Sequence, residues 1–192
     1  SNKVMKIMYS PLINIEAFKD TIKSDGLVLT ANSRQSNAIN AAFALTQDED
    51  SAWLAPKIYS LEQWTKRLWS ELQDQAHPSA LLSVVGPFED TYFWNRAIES
   101  YEPEVQDRYV SLAAQTLKLL KQQCVTLADI PESTPATEKL TRWVSEHDAL
   151  LTRNDLITKE RCIEILIDAF DGGALNLEQS IQTFGWQTMP PL

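Results

Sequence analysis

In the stretch LVLTANSRQSNAI, Leu27 to Ile39, the residues Thr30, Asn32, Ser33 and Arg34 sit in a turn between an apolar run and a helical pattern. Hydroxyls, an amide and one guanidinium at a helix start are groups that can hold phosphate. The first N–H groups of a helix are free, and its dipole attracts anions. A working phosphate loop needs more. In GxxxxGK[ST] the glycines let the backbone wrap the phosphate, and the lysine neutralises it. From Leu27 to Pro56 the chain has neither Gly nor Lys. A nucleotide motor also needs an acid on a neighbouring strand to hold magnesium, and no Asp or Glu follows Glu178. The residues therefore predict an ordinary capped turn, with no cofactor and no metal.

Other reactive groups are sparse. Glu89 and Asp90 read as charges at a helix start, and Asp48, Glu49 and Asp50 as a charged loop. His147 falls on a helix face beside Trp143 and reads as a satisfied core or boundary histidine. His77 precedes Pro78 in a loop with no evident partner. With two histidines, two cysteines (Cys124 and Cys162) and no CxxC, a zinc site is not expected. Both cysteines lie in helical apolar patterns and read as reduced core thiols. Trp64, Trp94 and Trp143 lie on helical apolar stripes, which points to packing before base stacking. Lys66 and Arg67 form only a small basic patch. No residue is assigned a catalytic role.

These groups need elements to position them. NIEAFKDTIKSDG reads as a short helix, with Ile15, Phe18 and Ile22 on one face and Gly26 ending it. Leu27–Thr30 reads as a strand. Asn32 with Gln35 has capping-box spacing, and the helix runs to about Leu45, burying Ile39, Ala42 and Phe43. WLAPKIYS is a second strand. Ser60 with Gln63 makes another capping box, opening a helix faced by Leu61, Trp64, Leu68 and Leu72. Strand, helix and strand this close imply parallel pairing with a right-handed crossover.

From about residue 75 no convincing strand appears until about residue 180. Four apolar helical patterns fill the interval: Phe93, Trp94, Ala97 and Ile98; then Tyr109, Leu112, Ala113, Thr116, Leu117 and Leu120; then Leu140, Trp143, Val144, His147 and Leu151; then Cys162, Ile163, Leu166, Ile167 and Phe170 behind a Thr158 cap. IQTFGW reads as a third strand. The expected fold is α/β and mostly helical. Residues 1–74 and 175–192 make a small parallel, P-loop-like core, interrupted by a helical sub-domain at 75–174.

The bulk numbers narrow the class. The chain has 192 residues, 44% hydrophobic, with a net charge of −9. Such an acidic surface repels nucleic-acid phosphate, so this chain alone is expected to bind DNA weakly or not at all. No apolar run is long enough to span a membrane and no signal peptide is visible, so a cytoplasmic setting is expected. Ser1 and Asn2 read as a cloning remnant. The apolar ending without a closing helix reads as a fragment of a longer protein.

The segments LVLTANSRQSNAINAAF, WLAPKIYSLEQWTKRLW, FWNRAI and LTRWVSEHDALL resemble the N-terminal part of bacterial RecB-family exonuclease-like DNA-repair proteins, related to AddB. The resemblance runs from about Leu27 to the end, and the first two segments carry most of it. It implies a superfamily 1 helicase-like region, often degenerate, with a PD-(D/E)XK nuclease at the far C-terminus of the full protein. Thr30–Arg34 would occupy the place of the ATP-binding loop. Ile58–Trp64 would occupy the next helicase motif, which touches single-stranded DNA in active motors. Arg34, Ser60, Trp64, Lys66 and Arg67 become candidate DNA or domain contacts. The implied partners are downstream domains of the same protein, and DNA in that setting. Two rival readings are a helical interaction adaptor unrelated to DNA and a small NTPase with an unusual phosphate loop.

Overall fold

The structure, a computed structural model, describes residues 13–47, 52–104, 107–123, 125–130 and 134–186. Expectations for Ser1, Asn2, Asp48, Glu49, Asp50 and Cys124 lie outside these. The chain forms two compact units. Of the described residues, those in 13–71 and 172–186 build one, and those in 72–171 the other.

The first unit is a three-stranded parallel sheet with flanking helices. Its strands are β1 (Leu27–Thr30), β2 (Lys57–Ser60) and β5 (Ile181–Phe184), in the order β2-β1-β5. Leu27 stands opposite Lys57 on one side and Ile181 on the other. The central strand is buried at all four positions, as a parallel strand covered on both faces should be. A 3₁₀ turn at Ile15–Phe18 leads into α1 (Lys19–Lys23). The expected single helix is thus split, but Phe18 still reaches the core. It packs with Val28, Ile39 and Ile58, and Ile13, Ile15 and Ile22 close the cluster. Helix α2 (Ser33–Ala44) buries Ile39 and Ala42, and Asn40 Nδ2 donates to Ile58 O, tying α2 to β2. The second strand starts at Lys57, not Trp53.

Helix α3 (Leu61–Asp74) is rotated from the expected face. Leu68, Trp69 and Leu72 are buried, whereas Leu61 is exposed and Trp64 half-buried. Leu61 is the first helical residue, ahead of the turn that packs.

The second unit holds α4 (Pro87–Glu99), α5 (Asp107–Gln122), α6 (Pro135–Arg153) and α7 (Lys159–Asp171). Its core joins Trp94, Ile98, Val110, Ala113 and Trp143, with Ala114, Leu117, Leu140 and Val144 packed against them. Two faces differ from expectation. In α5, Val110 is buried while Tyr109 and Leu112 are exposed. In α7 the buried stripe is Cys162, Ile165, Leu166 and Ala169, leaving Ile167 exposed. The sequence between residues 75 and 180 also hides a two-stranded parallel ladder, β3 (Ser83–Val84) with β4 (Leu156–Ile157). Two residues are too few to show a period.

Among the described residues, no helix is long and apolar enough to cross a membrane.

Candidate functional site

The turn Thr30–Arg34 lies at the C-terminal end of β1. Because β2 and β5 flank β1 on opposite sides, the ends of β1 and β5 form the switch point where open α/β sheets bind ligands. Of its polar groups only Thr30 faces inward, and Asn32, Ser33 and Arg34 lie at the surface. Thr30 is fully buried, and its Oγ1 donates to Asn32 O at 2.9 Å, with Tyr59 O at 3.4 Å. Asn32 Oδ1 accepts from Gln35 N at 3.0 Å and so caps α2. Ser33 and Arg34 are exposed.

Gln35 follows the turn on α2. The expected capping box is half made, because its side chain lies against Gly185, just past β5. A Cβ on Gly185 would stand 2.2 Å from Gln35 Nε2 and 2.4 Å from Oε1. Glycine, at φ +88, is what admits the amide here. Gln35 Oε1 is buried with no hydrogen-bond partner. The Gln35 side chain thus packs between the start of α2 and the backbone just past β5. Sequence reading had Gln35 only as a cap. Its pairing with Gly185, 150 residues on, left no local signal.

The next segment is tied to the same turn. Ser60, buried, makes the full capping box: its Oγ accepts from Gln63 N at 3.2 Å, and Gln63 Oε1 accepts from Ser60 N at 2.8 Å. Gln63 Oε1 also accepts from Ser36 Oγ at 2.8 Å, joining the starts of α2 and α3. Arg67 donates to the Tyr59 hydroxyl at 2.7 Å and lies over the Tyr59 ring, 5.4 Å from its centre. Lys66 pairs with Glu62 one helical turn back, at 2.9 Å. Trp64 is half-buried. Of the five candidate contact residues, Ser60 is therefore internal, Lys66 is neutralised, and Arg34 and Arg67 keep solvent-facing charge.

The helical unit holds a polar pair that sequence reading missed. His147 is wholly buried; its Nε2 lies 2.8 Å from Asp90 Oδ1, and its ring stacks on Trp94 at 4.2 Å. Asp148 Oδ1 is 3.7 Å from Nδ1, too far for a hydrogen bond but close enough for attraction. Burial opposes a charge on the ring, yet the carboxylates of Asp148 and Asp90 outweigh it and raise the His147 pKa above its usual 6.5. His147 is thus a core histidine, as expected, but satisfied on one side only: Nδ1 is buried without a hydrogen-bond partner. Asp90, read as a helix-start charge alone, is its anchor. Cys162 is free and buried, and burial pushes its thiol up to about 11, so it stays protonated and inert. His77 Nδ1 accepts from Ser79 N and caps a short 3₁₀ turn.

Among the described residues, no group of three or more His, Cys, Asp or Glu side chains is arranged to hold a metal ion. No protein-family model, no curated protein and no solved structure matches this chain.

Proposed function

We propose that this chain is the non-catalytic, helicase-like scaffold region of a DNA-repair exonuclease that processes double-strand breaks, with its ATP-binding position degenerate. The observation that supports the reading is the turn between β1 and α2, which lacks the groups of a working phosphate loop. A strand–turn–helix unit lies at the switch point of a parallel sheet, where nucleotide-binding folds hold phosphate. Gln35, set against Gly185 beside that turn, agrees with a position that no longer binds phosphate. The sequence resemblance supplies the class, and the missing glycines, lysine and magnesium acid agree with it. In this reading the region docks downstream domains and helps to guide DNA, while a nuclease elsewhere in the full-length protein does the chemistry. Arg34 and Arg67 are the charged side chains it offers to DNA or to a domain.

Two measurements test it. Calorimetric titration of this chain with ATP and magnesium is expected to give no saturable heat; micromolar binding would return the motor reading. In the full-length protein, Arg34→Ala with Arg67→Ala is expected to weaken single-stranded DNA binding and flatten its salt dependence. Unchanged affinity and salt slope would remove DNA guidance from the proposal.

A second reading, a helical adaptor unrelated to DNA, draws on one feature. An open groove of about 960 Å³ in the helical unit is lined by Tyr109, Leu112, Leu120, Ile130, Leu140 and Trp143, among others. Binding of an apolar helical peptide there by the chain alone, with no DNA phenotype in the full-length protein, would favour it.

A further inference from the structure

His147 lies at the seam between α4 and α6 and is wholly buried. Asp90 and Trp94 stand four residues apart on α4, so both present themselves to it from one face. Nε2 of His147 lies 2.8 Å from Asp90 Oδ1. The ring stacks on Trp94, with centroids 4.2 Å apart and planes 16° from parallel. One side chain of α6 is thereby held to α4 twice, by a hydrogen bond at its edge and by an indole on its face.

The two protonation states do not fit this place equally. A neutral ring with its proton on Nε2 keeps the bond to Asp90 but leaves Nδ1 a bare lone pair, buried and without a donor. That lone pair points its partial negative charge toward Asp148 Oδ1, 3.7 Å away. A charged ring carries N–H at both positions, so the same carboxylate attracts it. The charge also lies within cation–π range of Trp94. The wider surroundings are mixed: Lys118 and Lys121 from α5 and Glu160 from α7 line the same small cavity as Asp90 and His147. With the ring charged, three cations stand among the three carboxylates of Asp90, Asp148 and Glu160. Without it one carboxylate is in excess.

We propose that His147, Asp90 and Trp94 form a pH-sensitive clamp, which holds the start of α4 against α6 while the imidazole is charged and loosens when it is neutral. Histidine is the side chain whose ordinary titration falls near neutral pH. Burial lowers the His147 pKa, but Asp148 and Asp90 outweigh it and hold it above 6.5. The clamp is therefore complete below about 6.5 and is lost as pH rises through the folded value. Asp90 lies in the first turns of α4, and those turns also carry Phe88 and Tyr92, both exposed. The clamp thus sets how firmly an outward-facing aromatic segment is fixed to the helical unit. It concerns that unit alone and stands apart from the helicase-like reading of the sheet.

The test follows the whole chain by NMR at pH values spaced roughly between 5.5 and 9, either side of the ordinary histidine range. The chain has two histidines, His77 and His147, and a His77→Gln variant tells their ring titrations apart. The His147 midpoint is expected above 6.5. Amide protection in α4, read by hydrogen exchange and corrected for the intrinsic rate at each pH, should fall at least about threefold through that midpoint. Protection of β1, in the other unit, should not move with it. His147→Gln keeps an amide donor for Asp90 but cannot gain a charge, so its α4 protection should be flat across the range. A midpoint at or below 6.5, or parent α4 protection that does not follow the midpoint, would overturn the clamp. So would an unchanged pH response in a folded His147→Gln variant.

Discussion

Gly185 stands where a side chain would meet the end of Gln35. In Gly185→Ala the new Cβ would push aside the end of the flexible Gln35 side chain, 2.2 Å away, and would sit at a backbone φ of +88 that strains any L residue. We expect it to destabilise the first unit by about 1–3 kcal/mol, measured by urea unfolding. Adding Gln35→Ala should recover the clash but not the backbone strain; full recovery would show that the φ cost is negligible. A second residue-scale expectation concerns His147, whose folded pKa is raised. A raised folded pKa means that the histidine contributes fully below its unfolded value, about 6.5, and that this is lost as pH rises through the folded value. Asp90→Asn should therefore cost about 1–2 kcal/mol near pH 5.5, discounted for the one-third exposure of Asp90, and less near pH 9. An equal cost at both values would mean that the pair is held by its hydrogen bond alone. Asn32 and Ser60 were legible as caps because their partners lie three residues away. Asp90 and His147 are 57 residues apart, and nothing in either segment names the other.

Helices α3, α5 and α7 show where periodicity stops informing. Each was readable as an amphipathic helix, yet the buried face was turned. In α7 two overlapping stripes are available: Ile163–Ile167–Phe170 is as regular as Ile165–Leu166–Ala169, and only packing against the rest of the unit selects the second. This selection is measurable. Leu166→Ala, at a buried position, should cost about 2–5 kcal/mol, whereas Ile167→Ala, 41% exposed, should stay within about 0.5 kcal/mol. Comparable losses at both would place the stripe wrongly. The parallel strands β1 and β2 were visible because a short apolar run ended in turn chemistry each time. The ladder β3–β4 was not, since its exposed Ser83 and Val84 carry neither apolar alternation nor a turn signature. The turn after β1 was half legible. The absence of glycine and lysine is printed in the chain, but the packing of Gln35 against Gly185 becomes apparent only when β5 is set beside β1.

The path of the chain through its two units has consequences for folding. The helical unit is one continuous stretch, Leu72–Asp171, with its own core of Trp94, Ile98, Val110, Ala113 and Trp143. The sheet unit is discontinuous, since β5 comes from beyond that stretch and supplies the second neighbour of β1. Leu27 N donates to Ser180 O, and Ala31 N to Phe184 O, so both ends of β1 depend on the returning segment. Phe184 also closes edge-on against Phe18, with ring centres 5.4 Å apart. Contacts this distant in sequence form late, because the loop-closure entropy must be met before they stabilise anything. A chain ended after Asp171 should therefore keep the helical unit folded and lose the sheet. Amide hydrogen exchange reads this directly. Amides of α4 and α6 should remain protected in the shortened chain, while those of β1 exchange at nearly unfolded rates. Protection of Leu27 and Leu29 without the returning strand would show that β1 and β2 are stable as a pair. Loss of protection in α4 and α6 would show that the helical unit cannot stand on its own core.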